Sequence, residues 1–472
     1  MEAAGFSPIV ECAWGALSTD TAVNETLRYR ELMVSGSIDK AILHLGAPAA
    51  MAALLQAGFL VVDTFWLGRV GPVALAAAST AGFTMWLAQT LGEGAAAGSG
   101  SVLARAIGAE DQNGAVRSAA AGQTLSVWGS AIVSAIGLLV SHVTFAFMGT
   151  DALVTTEGIK YMWVIFAGIP LYFLFVWLSA AFRAVGDAQT PLRLLALAAV
   201  VNLIADPILI FGLGPVPALG VAGAALATVA SWIVATARGW VLLGRLGIRP
   251  RVFAFLRPPL DETLRALKVG LPLALEGALF SLIYILLTRV ITDFGTPAVA
   301  ALGIGHKLEV LNYFVCAGIG AAATTLVGQN LGAGESKRAV RSAWRALYLT
   351  CLPVGAVTFL LVSFPDVAIG VFSNDARVIA LGSTYVLLVG MTQLFMAFEV
   401  VMLGAFAGVQ WTAWPAVIVV GLTAIRVPLA MWLVARGWGV EAVWFAIAST
   451  TVVKGILLAT LFGLRYGKGQ TA

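Results

Sequence analysis

Long apolar runs separated by short polar links recur down this chain from Ile42 to Leu464. Six fill the first half, at Ile42 to Leu67, Leu75 to Ser99, Leu125 to Met148, Val164 to Ala181, Leu192 to Leu213 and Gly220 to Leu243. Six more fill the second, near Leu267 to Ile291, Ala298 to Leu326, Leu347 to Ala368, Ile379 to Phe406, Ala413 to Val434 and Ala442 to Leu464. At about 1.5 Å per residue each run is long enough to cross a hydrocarbon layer about 30 Å thick. The pattern predicts an all-α membrane protein of twelve transmembrane helices.

The two halves also repeat in detail. Ala115 to Ala119 read A-V-R-S-A, and Ala339 to Ala343 read the same letters 224 residues later. Pro48 and Pro272, Gly71 and Gly295, Gly108 and Gly332, Ala181-Phe182 and Ala405-Phe406, and Pro191 and Pro415 share that offset. The chain is therefore two copies of one unit. Six spans per copy is an even number, so both copies enter from the same side and are related by a pseudo-twofold axis along the membrane normal. The predicted organisation is a polar segment 1–40, an N-lobe 41–246, a basic linker 247–264, a C-lobe 265–466 and a tail 467–472. The copies disagree where Asn202 meets Arg426, Asp206 meets Ala430 and Asp63 meets Leu287.

Composition adds the solvent. With 60% hydrophobic and 11% charged residues, the chain lies far outside soluble averages, which excludes a soluble binding role. Charge adds orientation. Arg28, Arg30, Lys40, Arg105, Arg117, Arg183 and Arg193, the linker's Arg245, Arg249, Arg251, Arg257, Arg265 and Lys268, and Lys337, Arg338, Arg341 and Arg345 all fall on one face. Only isolated cations such as Arg69, Lys160, Arg377 and Arg436 fall on the other, so both termini are expected in the cytoplasm, with the protein in the plasma (inner) membrane. The basic balance is thus topology, and no nucleic-acid partner is expected. Met1 to Asp39 has neither the basic start nor the apolar core of a secretory signal. Cys12, Cys316 and Cys351 are too scattered for a metal motif, and His44, His142 and His306 form no spaced pair.

Ionisable groups in the hydrocarbon are costly, about 2.5 to 3.5 kcal/mol on insertion scales, so each needs a reason. Counting along the helices places Asp63 roughly 9 Å, Asp206 roughly 10 Å, Thr228 roughly 12 Å and Asn202 roughly 16 Å below the outer surface. Asn202 and Asp206 are four apart and stack on one helical face, while Gln56 and Asp63, seven apart, share a face of the first span. Pro207 has no N–H and so frees the carbonyl of Leu203 between them. Two carboxylates, an amide oxygen, a hydroxyl and a carbonyl are hard oxygen donors, suited to a small cation or to a proton shared between carboxylates. Taken singly, Thr228 or Asn202 could be interhelical glue. The two aspartates resist that reading, because a structural buried carboxylate pair ordinarily carries a cationic partner and none lies at their depth. Glu93 counts to the cytoplasmic end of the second span, where it would be solvated or pair helices, beside a Gly94–Gly98 packing ridge. The second copy holds Glu276, His306, Lys307, Glu309, Glu399 and Arg426 in or near its spans. Arg426 and Glu309 count to the same depth, and an internal ion pair between them is expected.

These residues resemble the multidrug and toxic compound extrusion (MATE) transporters over essentially Ile42 to Tyr466. The resemblance rests on V-D-T-F-W-L-G-R-V-G-P-V-A-L-A-A from Val62, A-F-R-A-V-G-D-A-Q-T-P from Ala181, N-L-I-A-D-P-I-L-I-F-G from Asn202 and G-V-A-G-A-A-L-A-T from Gly220. It implies two six-helix lobes around a central cavity, and secondary active antiport that expels organic, often cationic, compounds in exchange for protons or sodium ions. In the prokaryotic DinF-like branch the motif positions of the first-lobe cation or proton site fall on Asp63, Asn202, Asp206 and Thr228, the same four holding the metal if sodium is the coupling ion. The substrate-binding Gln and Tyr fall on Gln56 and Tyr161. A NorM-like second-lobe site would need carboxylates where Glu276 and Glu399 stand out of register, and the turn from Gly408 to Pro415 lacks the usual Gly-Asp. No organic cofactor or nucleotide is implied, and the expected partners are a small organic substrate and membrane lipid, with the chain a monomer. Two alternatives are a lipid or lipid-linked glycan flippase, which would need a strongly basic cavity, and a membrane-embedded enzyme. For the latter Ala184-Val185-Gly186-Asp187 faintly resembles an intramembrane protease motif, but no partner Tyr-Asp lies in a span and no H-E-x-x-H or phosphate-binding loop occurs. An enzyme is therefore not expected.

Overall fold

The computed structural model describes residues 19–467; the rest of the predicted polar segment, with Cys12, and the end of the predicted tail lie outside the described residues. A helix α1 (Thr19–Val34) is followed by six long helices, α2 (Ile38–Val70), α3 (Pro72–Gly108), α4 (Gln112–Met148), α5 (Ala152–Val185), α6 (Gln189–Phe211) and α7 (Val221–Gly244). A linker with one 3-10 turn (Ala254–Leu256) leads to α8 (Leu260–Thr292), α9 (Thr296–Gly332), α10 (Ser336–Ser363), short α11 (Pro365–Gly370), α12 (Ala376–Gly390), α13 (Gln393–Gly408), α14 (Ala413–Ala435) and α15 (Glu441–Tyr466). Apart from one bridge between Leu213 and Val216, no strand structure occurs among the described residues. Ten of these helices are individually long and apolar enough to cross a membrane, and α12 with α13 forms an eleventh, broken span bent by 52°. The 37-residue α3, rich in Ala, Gly and Ser, completes the twelve.

The duplication is written into the helix ends. α3 and α9, and α6 and α14, have bounds that differ by the same 224 residues. Local chemistry explains the shared start of α3 and α9: Gly71 (φ 142°) and Gly295 (φ 89°) supply turn conformations open to glycine, and a proline sits in the first turn of each helix. Two differences from the sequence reading stand out. The basic linker is shorter than expected, since α8 begins at Leu260. The apolar run from Ile379 to Phe406 is not one straight helix, because it breaks at Met391 and Thr392.

The lobes meet near the end of the molecule that carries α1 and the last turn of α15, the terminus side. There backbones approach through small residues: a Cβ on Gly94 would lie 2.5 Å from the Ala274 Cβ, and one on Gly108 2.0 Å from the Gln329 carbonyl oxygen. Gln329 Nε2 of α9 donates to the Ala184 carbonyl of α5 at 2.7 Å, and Arg117 of α4 pairs with Glu262 of α8 at 2.8 Å. Toward the other end, Gly58, Gly82 and Gly303 face open space. The close contacts between the lobes through Gly94, Gly108, Gln329 and Arg117 all lie at the terminus side.

Candidate functional site

Within the N-lobe, α6 and α7 are held in register by backbone bonds from Leu219 N to Leu209 O (3.0 Å) and Gly220 N to Ile210 O (3.1 Å). Gly223 has no side chain to fend off Leu209, whose carbonyl would lie 2.3 Å from a Cβ there. That close approach packs α7 against α6, and Thr228 of α7 lies within side-chain reach of Asp63. Asp63 comes in from α2. Asn202, Asp206 and Thr228 are at most 1% exposed and Asp63 is 9% exposed, so all four predicted cation-site residues are buried.

Asp63 lies within side-chain reach of Asp206, Asn202 and Thr228. The cluster holds one hydrogen bond, from Asn202 Nδ2 to Asp206 Oδ1 at 3.2 Å. Asp63 Oδ1, Asp206 Oδ2, Asn202 Oδ1 and Thr228 Oγ1 are each buried without a hydrogen-bond partner. The reason is chemical: ionised carboxylates only accept, so two of them at close range cannot satisfy one another without a proton or a cation between them. No Lys or Arg among the described residues forms an ion pair with either aspartate. Tyr161 is buried nearby and feels the charge of both. Donors of this type and number suit a proton or a hard monovalent cation.

Gln56 belongs elsewhere. It interacts with Tyr172, which in turn donates to Glu93 Oε1 at 3.4 Å. Glu93 is thus not at the helix end, as depth counting suggested, but beside the Gly94–Ala274 contact between the lobes. The substrate-binding candidates Gln56 and Tyr161 therefore lie in separate polar groups. Asp187 Oδ1 accepts from Gln189 N and Thr190 N and caps α6, which gives it a structural account.

The C-lobe overturns one expectation outright. Arg426 does not pair with Glu309. Its guanidinium donates to Thr450 Oγ1 (2.8 Å), Thr451 Oγ1 (2.9 Å) and Tyr284 Oη (2.8 Å), while Glu309 accepts from Tyr385 and Gln393. Equal depth fixes height along the membrane normal but not direction around it. The buried ion pair is instead Lys454 Nζ with Glu399 Oε1 at 2.7 Å, both largely inaccessible, with Glu276 close enough to couple to them. Lys454 escaped the sequence reading; its position inside the last apolar run was the available signal. Breaking such a pair strands a buried charge at about 3–5 kcal/mol. Lys454→Met is expected to lower the thermal unfolding midpoint, and Lys454→Met with Glu399→Leu to recover most of the loss. A single variant as stable as the parent would count against a stabilising pair.

Comparison with known proteins fits this architecture. The MatE family profile matches residues 48–208 and 272–432, two segments whose starts are 224 residues apart. A probable multidrug resistance protein NorM of Thermotoga maritima is 28% identical over 432 residues, covering 90% of this chain and 92% of that protein. An FAD transporter of Shewanella oneidensis is 28% identical over 362 residues, covering 76% and 80%. Among solved structures, a multidrug resistance MATE family transporter of the MOP superfamily in an outward-facing conformation aligns with TM-score 0.86 at 23% identity, over 93% of this chain and 98% of that one.

Proposed function

Since the chain belongs to the MatE family of transporters, we propose that it exports small organic, often cationic, compounds in exchange for protons or sodium ions, using the Asp63 cluster to hold the coupling ion. The observation that carries this reading is the set of four buried oxygens without hydrogen-bond partners, two of them carboxylate, with no Lys or Arg among the described residues paired to either carboxylate. Asp63 and Asp206 take the ion's charge, Asn202 bridges to Asp206 through its amide, and Thr228 adds a neutral oxygen. If sodium is the coupling ion, these same four residues hold it.

The clustering of lobe-to-lobe contacts at the terminus side supports an outward-open state, given that the basic face there lies in the cytoplasm. Loading from outside neutralises the pair, removes the repulsion between α2 and α6, and lets α2 shift its packing near Pro207. The lobes then rock about their contact and the cavity changes sides. Each charge moving inward gains about 2.3 kcal/mol per 100 mV, roughly a fifty-fold uphill concentration of substrate. Relatives bear the names multidrug resistance protein and FAD transporter, which supports a small organic substrate. The chain works as a monomer in the plasma membrane without nucleotide or cofactor.

The test is transport of a fluorescent organic cation by purified protein in liposomes, with pH and sodium gradients imposed separately. One gradient is expected to drive substrate movement against its own gradient. If neither does, the antiport reading fails.

A further inference from the structure

A carboxylate in the C-lobe touches both halves of the broken span. Glu309 of α9 accepts from Tyr385 Oη of α12 at 2.9 Å through Oε2, and from Gln393 Nε2, the first residue of α13, at 2.8 Å through Oε1. One side chain thus clamps the 52° bend. Packing reinforces the contact, since Gly305 lets the Tyr385 ring lie where a Cβ would come within 2.3 Å of it. In the first copy the matching stretch of α5 is a continuous helix through Ala167 and Gly168. Met85, Ile169 and Gly82 stand there in place of Glu309, Gln393 and His306, and only Tyr161 matches Tyr385. Three polar side chains peculiar to the second copy coincide with a break peculiar to it.

His306 lies one turn before Glu309. Its Nε2 is buried, has no hydrogen-bond partner, and stands 3.9 Å from Glu309 Oε2. We propose that His306 and Glu309 form a second proton-binding site, whose loading loosens the clamp on the bend between α12 and α13. A proton on Nε2 makes imidazolium, whose charge-assisted bond pulls Oε2 across the 3.9 Å gap toward the ring and so strains its bond to the Tyr385 hydroxyl. The charged and titratable groups around the ring are few. Glu309 and the exposed Lys307 share α9, Tyr284 of α8 packs against His306 at a 56° tilt with ring centroids 4.7 Å apart, and the Tyr385 ring of α12 lies at 6.1 Å. Arg426 of α14 donates to Tyr284 Oη, and the Glu399–Lys454 pair of α13 and α15 lies beyond it. The site is independent of the Asp63 cluster in the other lobe.

The chain has only three histidines, His44, His142 and His306, which makes ring-labelled histidine NMR decisive. In full-length protein, the resonance that disappears in His306→Gln should change from neutral imidazole to imidazolium as pH falls from about 8 to about 5. Glu309→Gln should weaken that proton binding about tenfold, with unchanged His44 and His142 signals reporting an intact fold. Asp63→Asn should leave the titration unmoved, which separates this site from the antiport reading. In a background without native cysteines, spin labels at exposed Arg377 and Ala413, near the ends of the broken span, should report a distance change over the same pH range, lost in His306→Gln. A His306 ring that stays neutral to pH 5, a titration indifferent to Glu309→Gln, or a titration with no change in the labelled distance overturns the proposal.

Discussion

Asp63→Asn is expected to abolish gradient-driven efflux while leaving a folded protein. The substitution keeps the shape and removes one of the two acidic groups, so the cluster no longer demands a cation: an amide N–H can satisfy the Asp206 oxygen that now lacks a partner. With no ion to carry, the roughly fifty-fold concentrating power per 100 mV is lost for each charge no longer moved. Stability should hold or rise, because burying two like charges costs free energy that the variant avoids. Asp206→Asn should behave alike, whereas Thr228→Val, which deletes a neutral donor oxygen, should weaken ion binding by about tenfold or less. Efflux from liposomes under an imposed gradient, read beside the thermal unfolding midpoint, checks both halves. Retained gradient-driven efflux in Asp63→Asn would remove that residue from the coupling site.

The acidic cluster was legible because a buried carboxylate without a nearby cation is rare enough to be noticed residue by residue. The duplication was legible because glycine and proline punctuate both copies at one offset, and those residues set where α3 and α9 begin. Three-dimensional pairing was not. Gln56 and Asp63 share a helical face, yet seven residues span about 10 Å along the axis, enough to place Gln56 with Tyr172 and Glu93 instead. The Lys454–Glu399 pair joins residues 55 apart in sequence, a separation that no helical spacing encodes. The break at Met391 and Thr392 contains no proline and lies within a continuous apolar run, so hydropathy passes straight through it. The Gly94–Gly98 ridge announced close packing but not its partner, which proved to be the start of α8 from the opposite lobe.

That ridge yields the second large effect. Gly98→Leu is expected to push the lobes apart at the terminus side and depopulate the closed arrangement seen there. A Cβ at Gly98 would lie 2.2 Å from the Ala266 carbonyl oxygen and 2.7 Å from the Gly270 amide nitrogen, while one at Gly270 would lie 2.4 Å from the Gly94 carbonyl oxygen. These neighbours are backbone on both sides, so no rotamer change relieves the clash and α3 and α8 must separate. Overpacking of this kind costs about 1–3 kcal/mol, which shifts a two-state population roughly 5- to 150-fold. Bonds that span the lobes at this end, such as Gln329 to Ala184 and Arg117 to Glu262, would be released together, making the change cooperative. Spin labels at exposed Asn113 on α4 and Arg341 on α10 should report a longer distance in Gly98→Leu. Gly303→Leu is the control, because nothing lies within 4 Å of a Cβ there and the same bulk should leave the distance unchanged. If Gly98→Leu folds with the parental distance, the small-residue seam does not hold the terminus side shut; if Gly303→Leu shifts it equally, the effect is bulk alone.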